Sequence, residues 1–178
     1  MKVINLYGGP GAGKSTTAAG LFNIMKTRGH NVELVTEVAK DLTWEKNWMG
    51  LGHQPSILAA QDYRLWRLEM SKVEWAISDS PLPGQIAYMG DEWLEVGLDD
   101  MAWDLYDRYE NYHVLLHRGN REYQPIGRNQ TALEAAKLDN VLDNIFHTAI
   151  ATEEEFSLEL NTHVGTCWEI YNWIVGET

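Results

Sequence analysis

Cysteine is nearly absent from this 178-residue chain. The single one, Cys167, excludes an internal disulfide and leaves too few thiols for a zinc–thiolate cluster. Its place on an apolar helix face reads as a buried, inert thiol. No run approaches the roughly 18–20 apolar residues of a membrane span. The first strand enters its motif at once, so no signal peptide is expected. These absences point to a soluble protein in a reducing cytoplasm (that of the host, for a viral source). Internal repeats and low-complexity segments are missing as well. Positive charge is scarce: 14 Lys and Arg stand against 26 Asp and Glu, a net charge of −12. Such a surface repels duplex DNA and anionic membranes on average, while a local basic cleft can still hold an anion. Phenylalanine is also sparse, with three against eight Trp and eight Tyr. Packing by amphipathic rings accounts for most of these, and one or two can stack on a nucleobase.

What is present is an ordinary globular composition, 44% hydrophobic and 22% charged, at a length that suits one domain over residues 1–178. Its most informative stretch is Gly8-Gly9-Pro10-Gly11-Ala12-Gly13-Lys14-Ser15, which fits the phosphate-loop pattern G-x-x-x-x-G-K-[ST] without a gap. Lys2 to Tyr7 before it reads as a buried strand, and Ser15 to Arg28 after it as a helix. A strand that turns through glycines into a helix N-terminus aims backbone N–H groups at one point, where the helix dipole adds positive potential. Lys14 can reach the β- and γ-phosphates of a nucleotide as a point charge, and the Ser15 hydroxyl can ligate Mg²⁺.

Strand and helix alternate along the rest. Strands are predicted at Asn31–Val35, Val73–Ser78, Tyr112–His117 and Phe156–Leu160. Helices are predicted at Thr36–Thr43, Ile57–Ser71 and Asp99–Glu110, from Thr131, and after a Thr162 cap. Thr131 and Glu134 have capping-box spacing. Trp44 to Gln54 reads as loop, and 79–97 as irregular with short helical turns. This order implies an α/β fold with a mainly parallel five-stranded sheet covered on both faces, a three-layer α/β/α sandwich. Ligands then bind beyond the carboxyl ends of the strands.

Those strand ends carry chemistry. Asp79 ends the third predicted strand, placed to hold the water shell of Mg²⁺ or to accept a proton from an attacking hydroxyl. Capping the next turn is its ordinary alternative. Glu37 opens the helix after the second strand. It either caps that helix, stabilised by the dipole, or binds and activates an acceptor. Arg118, Arg121 and Arg128 lie in a polar stretch at about 118–130, broken by Gly119, Pro125 and Gly127. That stretch reads as a lid loop able to neutralise charge on a transferred phosphoryl group, against a plain solvated loop. Gln61 and Arg64 share a helix face and either bind the acceptor or form a solvated flank.

Taken together, these residues resemble the small P-loop kinases of the nucleoside and nucleotide kinase division. One branch is the NadR-like ATPase/kinase group, where a glutamate likewise opens the helix after strand two and an acid ends strand three. A second is thymidylate kinase, matched by Asp79, Ala87, Tyr88 and Gly90, though Ser80 stands where that family has arginine. Virus-encoded kinases of hydroxymethyl-pyrimidine in DNA form a third group. The resemblance implies ATP or GTP as donor, Mg²⁺ as cofactor and a nucleoside- or nucleotide-like acceptor. It further implies that Gly8, Gly9, Pro10, Gly11, Ala12, Gly13, Lys14, Ser15 and Thr16 hold the donor, Thr16 at its α-phosphate. Arg118 and Arg121 join them, and Arg128 touches the transferred group. Ser15 and Asp79 then serve the metal, Lys14, Asp79, Glu37 and Arg128 the catalysis, and Glu37, Gln61, Arg64 and Tyr88 the acceptor. Two alternatives stay open: a kinase acting on single-stranded or modified DNA, and an NTPase switch that hydrolyses nucleotide without a small acceptor. A homodimer is compatible with any of them.

Overall fold

In a computed structural model the described residues are 1–118, 131–151, 157–163 and 165–176. Five strands form one sheet: β1 (Lys2–Tyr7), β2 (Val32–Val35), β3 (Trp75–Ser78), β4 (Glu110–His117) and β5 (Ser157–Asn161). Their order is β2-β3-β1-β4-β5, and every neighbouring pair is parallel. The first strand lies at the centre, so the loop that follows it has a strand end on either side. The helices are α1 (Lys14–Thr27), α2 (Val38–Trp44), α3 (Trp48–Gly52), α4 (Gln54–Met70), α5 (Asp91–Leu94), α6 (Leu98–Tyr106), α7 (Ala132–Ala149) and α8 (Thr166–Val175), with a 3-10 helix at Pro83–Tyr88.

The period-2 alternation of strand side chains sorts the core into two faces. Ile4 and Leu6 of β1 and Tyr112, Val114 and Leu116 of β4 pack with Ala18, Leu21 and Met25 of α1 and Ile170 and Tyr171 of α8. Val3 points the other way, toward Leu58 and Leu65 of α4 and Leu98 and Ala102 of α6, and Tyr7 and Leu115 meet Leu142, Ile145 and Phe146 of α7. The three-layer α/β/α sandwich is therefore observed. Helices α1 and α8 approach closely at Gly20, where an added Cβ would stand 2.6 Å from the Cys167 sulfur. That thiol is half-buried, and burial pushes its pKa up.

Some boundaries differ from expectation for identifiable reasons. The stretch 44–54 is not all loop: α3 forms across Gly50 and Gly52, because the Asn47 side chain accepts from the Gly50 N–H at 2.9 Å and caps it. Helix α4 begins at Gln54 rather than Ile57, since Pro55 lies in the first turn, where a missing N–H costs nothing. Thr162 does not cap the last helix; its hydroxyl donates to the His117 carbonyl at 3.1 Å, and Gly165 is the N-cap. The Thr131–Glu134 capping box is present in both directions. Among the described residues no helix is long and apolar enough to cross a membrane.

Candidate functional site

The site forms where β1, β2, β3 and β4 end. Between Tyr7 and Lys14 the chain runs through Gly8, whose φ is +136° and whose absent Cβ would lie 2.5 Å from the Leu116 carbonyl oxygen. Only glycine lets the loop leave the sheet that close to its neighbour strand. The Lys14 ammonium curls back into the loop, donating to the Gly8 carbonyl at 2.5 Å and the Gly9 carbonyl at 3.3 Å. The first turn of α1 has no side-chain cap. Its N–H groups and dipole therefore serve the space in front of the loop, a suitable seat for phosphate.

That space is a cavity of about 500 Å³. Pro10, Gly11, Gly13, Lys14, Ser15 and Thr16 line one side, and Glu37, Lys40 and Trp44 of the α2 segment line another. Gln54, Ile57, Gln85 and Tyr88 complete it. Beside it a recess of about 20 Å³ is lined by Lys14, Glu37, Asp79, Ser80 and Tyr88. Lys14, Ser15, Thr16, Glu37 and Tyr88 thus converge on the large cavity, and Asp79 on the recess.

The two acids differ in environment. Asp79 is 3% exposed, and its Oδ1 is buried without a hydrogen-bond partner among the described residues. An orphaned carboxylate oxygen is costly unless something positive meets it. Ser15 lines the adjoining cavity and Asp79 the recess, and oxygen donors of this kind suit a hard cation such as Mg²⁺. Glu37 is the N-cap of α2, yet its side chain makes no cap hydrogen bond. Most of its surface is covered, and burial raises its pKa above the ordinary glutamate value. Lys14 opposes that rise, Asp79 adds to it, and Lys40 and Asp41 contribute less.

Other expected residues serve the framework around this cleft. Gln61 is fully buried; its Oε1 accepts from the Val38 N–H at 3.0 Å and its Nε2 donates to the Thr36 carbonyl at 3.2 Å. Arg64 donates to the same carbonyl at 2.9 Å and pairs with Asp41 at 2.5 Å. The two side chains grip the backbone on either side of Glu37, and neither lines the cavity. Arg118 directs one terminal nitrogen to both oxygens of Asp139 on α7, each at 2.9 Å. Arg121 and Arg128 lie outside the described residues, as does most of the expected lid.

Lys40, Trp44, Gln54 and Gln85 are cavity residues that sequence reasoning missed. Lys40 and Trp44 had a readable signal: they fall three and seven positions after Glu37, on one helical face. Gln54 and Gln85 had none, because Gln54 precedes Pro55 and Gln85 follows Pro83-Gly84, and both settings read as breaks.

The sequence matches the AAA domain family over residues 3–152. No curated protein matches it. Among solved structures, deoxyadenosine kinase from M. mycoides with bound dCTP aligns over 100% of both chains at 15% identity and a TM-score of 0.58. The same enzyme with bound dATP aligns over 99% of this chain and 100% of that one, at 18% identity and a TM-score of 0.56. At these identities the likeness is one of fold. A gap-free phosphate loop at the centre of a parallel sheet, within a family match that spans most of the sequence, makes this chain a member of the AAA domain family of P-loop NTPases, with a nucleoside-kinase-like fold.

Proposed function

We propose that the chain is a phosphotransferase that moves the terminal phosphoryl group of ATP or GTP onto a hydroxyl of a nucleoside- or nucleotide-like acceptor. The observation that carries this reading is the continuous cavity. It runs from the phosphate loop past Glu37 to Trp44, Gln54, Gln85 and Tyr88, leaving room for a second molecule beside the donor. A ring can lie against the aromatic side chains while the glutamine amides meet its polar edge.

Glu37 takes the proton of the acceptor hydroxyl, for which a raised carboxyl is suited. The freed oxygen attacks the γ-phosphorus, and the bond from that phosphorus to the β–γ bridging oxygen breaks, leaving the nucleoside diphosphate. Lys14 neutralises charge at the β/γ end. Ser15 and Asp79 would hold Mg²⁺, which would screen the phosphate charge. Positioning and charge neutralisation supply most of the catalysis. Arg118, Arg121 and Arg128 are assigned to closing over the donor.

The test uses γ-labelled ATP with nucleosides, nucleoside monophosphates and single strands bearing hydroxymethyl-pyrimidine. Label should move to one class only, and Lys14→Ala should abolish the transfer. Hydrolysis that runs at full rate without any acceptor would instead make the chain an NTPase switch. Transfer to the strands alone would make DNA the acceptor.

A further inference from the structure

Lys40 stands in the middle of α2 with its side chain toward the cavity, and its ammonium donates to the Ser15 hydroxyl at 3.2 Å. Lys14 reaches the loop from within, on the Gly8 and Gly9 carbonyls. The cleft therefore has two cations, one supplied by the loop and one brought from α2. Among the described residues Lys40 forms no ion pair with a carboxylate, whereas Lys2, Lys26, Arg64, Arg108 and Arg118 each do. A hydroxyl is a weak partner for an ammonium, and the four-carbon stem lets it move to a better one. The Ser15 oxygen is also the atom assigned to Mg²⁺, and a divalent cation on that oxygen would repel the ammonium beside it. Charge is segregated to match. Residues 1–72 hold nine Lys and Arg against six Asp and Glu, whereas the remainder of this −12 chain holds five against twenty. Lys40 is thus a second positive charge on the cleft, from the acid-poor part of the sequence.

We infer that Lys40 is a second phosphate-binding residue, which leaves Ser15 when nucleotide arrives and takes a terminal phosphate from the acceptor side of the cleft. The inference rests on the reading of the loop as a nucleotide site. The shared chemistry is a phosphate dianion, either the donor's γ-phosphate or a phosphate already on the acceptor.

Calorimetric titration of ADP, the β,γ-methylene analogue of ATP and the four deoxynucleoside monophosphates, each with Mg²⁺, separates the cases. ADP binding by the unmodified protein is the check on the loop; if it fails, the nucleotide reading itself falls. With Lys40→Ala, ADP affinity should stay within about twofold, while one other ligand weakens about tenfold or more, the size of one charge-assisted hydrogen bond. Loss on the ATP analogue assigns Lys40 to the donor, and loss on a monophosphate assigns it to the acceptor. Lys40→Arg should retain most of the affinity. Unchanged binding of all ligands would overturn the inference. So would an equal loss for ADP and the others, because that marks a fault in the loop rather than a lost terminal contact.

Discussion

Gln61→Ala tests how the framework holds the proposed base. The side chain is fully buried and bonds to the backbone at Thr36 and Val38. Truncation leaves the Val38 N–H buried and without its side-chain acceptor, which costs about 1–3 kcal/mol. The Thr36 carbonyl keeps its bond from Arg64 at 2.9 Å, so only one group is orphaned. The vacated volume adds about 1 kcal/mol, because a packed interior relaxes only in part. A total near 3 kcal/mol corresponds to a melting temperature lower by about 6–12 °C for a chain of this size. Glu37 lies between the two gripped residues, so loosening them lets its carboxylate drift. A shift near 1 Å costs about a hundredfold in rate. Thermal melting followed by circular dichroism, paired with steady-state transfer kinetics, reads both effects. The expected pattern is a lower melting point, a kcat reduced about a hundredfold and an almost unchanged KM for the donor. A melting point within about 2 °C of the parent would refute the energetic argument, since that is less than 1 kcal/mol. A raised acceptor KM at constant kcat would place Gln61 against the acceptor instead.

Glu37→Gln should uncouple stability from activity. Burial raises the Glu37 carboxyl pKa in the folded chain, so the folded state binds its proton more tightly than the unfolded state does. The ionised carboxylate therefore costs stability above the raised pKa, and that cost fades as pH falls toward the ordinary value of 4.5. The variant should melt higher than the parent at neutral pH and alike below about pH 4, while transfer is lost; a lower melting point at pH 7 would show that Glu37 is stabilised rather than strained by its surroundings. Gly9→Ala places a Cβ 1.8 Å from the Asp139 carboxylate and 3.3 Å from the Ala135 carbonyl, so the carboxylate must leave Arg118. Asp139→Ala should then cost clearly less stability in the Gly9→Ala background than alone, and additive losses in the double-mutant cycle would show that the two sites do not meet.

The donor half of the site was legible because its constraint is local. A six-residue strand with four apolar or aromatic positions, a glycine turn and a helix start can be read from a single window, and β1 runs from Lys2 to Tyr7 as expected. Asp79 and Glu37 were also legible, since strand ends in a parallel sheet point to one rim. The roles of Gln61 and Arg64 were not. Their helical face was correctly read, but which backbone groups they meet depends on where α4 docks against the β2–α2 turn. Helical spacing puts Lys40 on the face of Glu37, but its partner is not readable from spacing: only the fold brings it to Ser15. The Thr162 cap failed for a similar reason: a strand neighbour, His117, claimed the hydroxyl first.

The narrow contact at Gly20 has a consequence for what counts as one working unit. The family match stops at residue 152, before α8 begins. Yet α8 sends Ile170 and Tyr171 into the same cluster as Leu21 and Met25 of the helix that starts at Lys14. The tail of the chain is therefore the back wall of the phosphate seat. A chain cut at the family boundary would keep every residue of the motif while stripping the support from behind its helix. Any recoil of α1 on nucleotide arrival must be shared with α8, whose Trp168 and Trp173 would register it as a change in fluorescence.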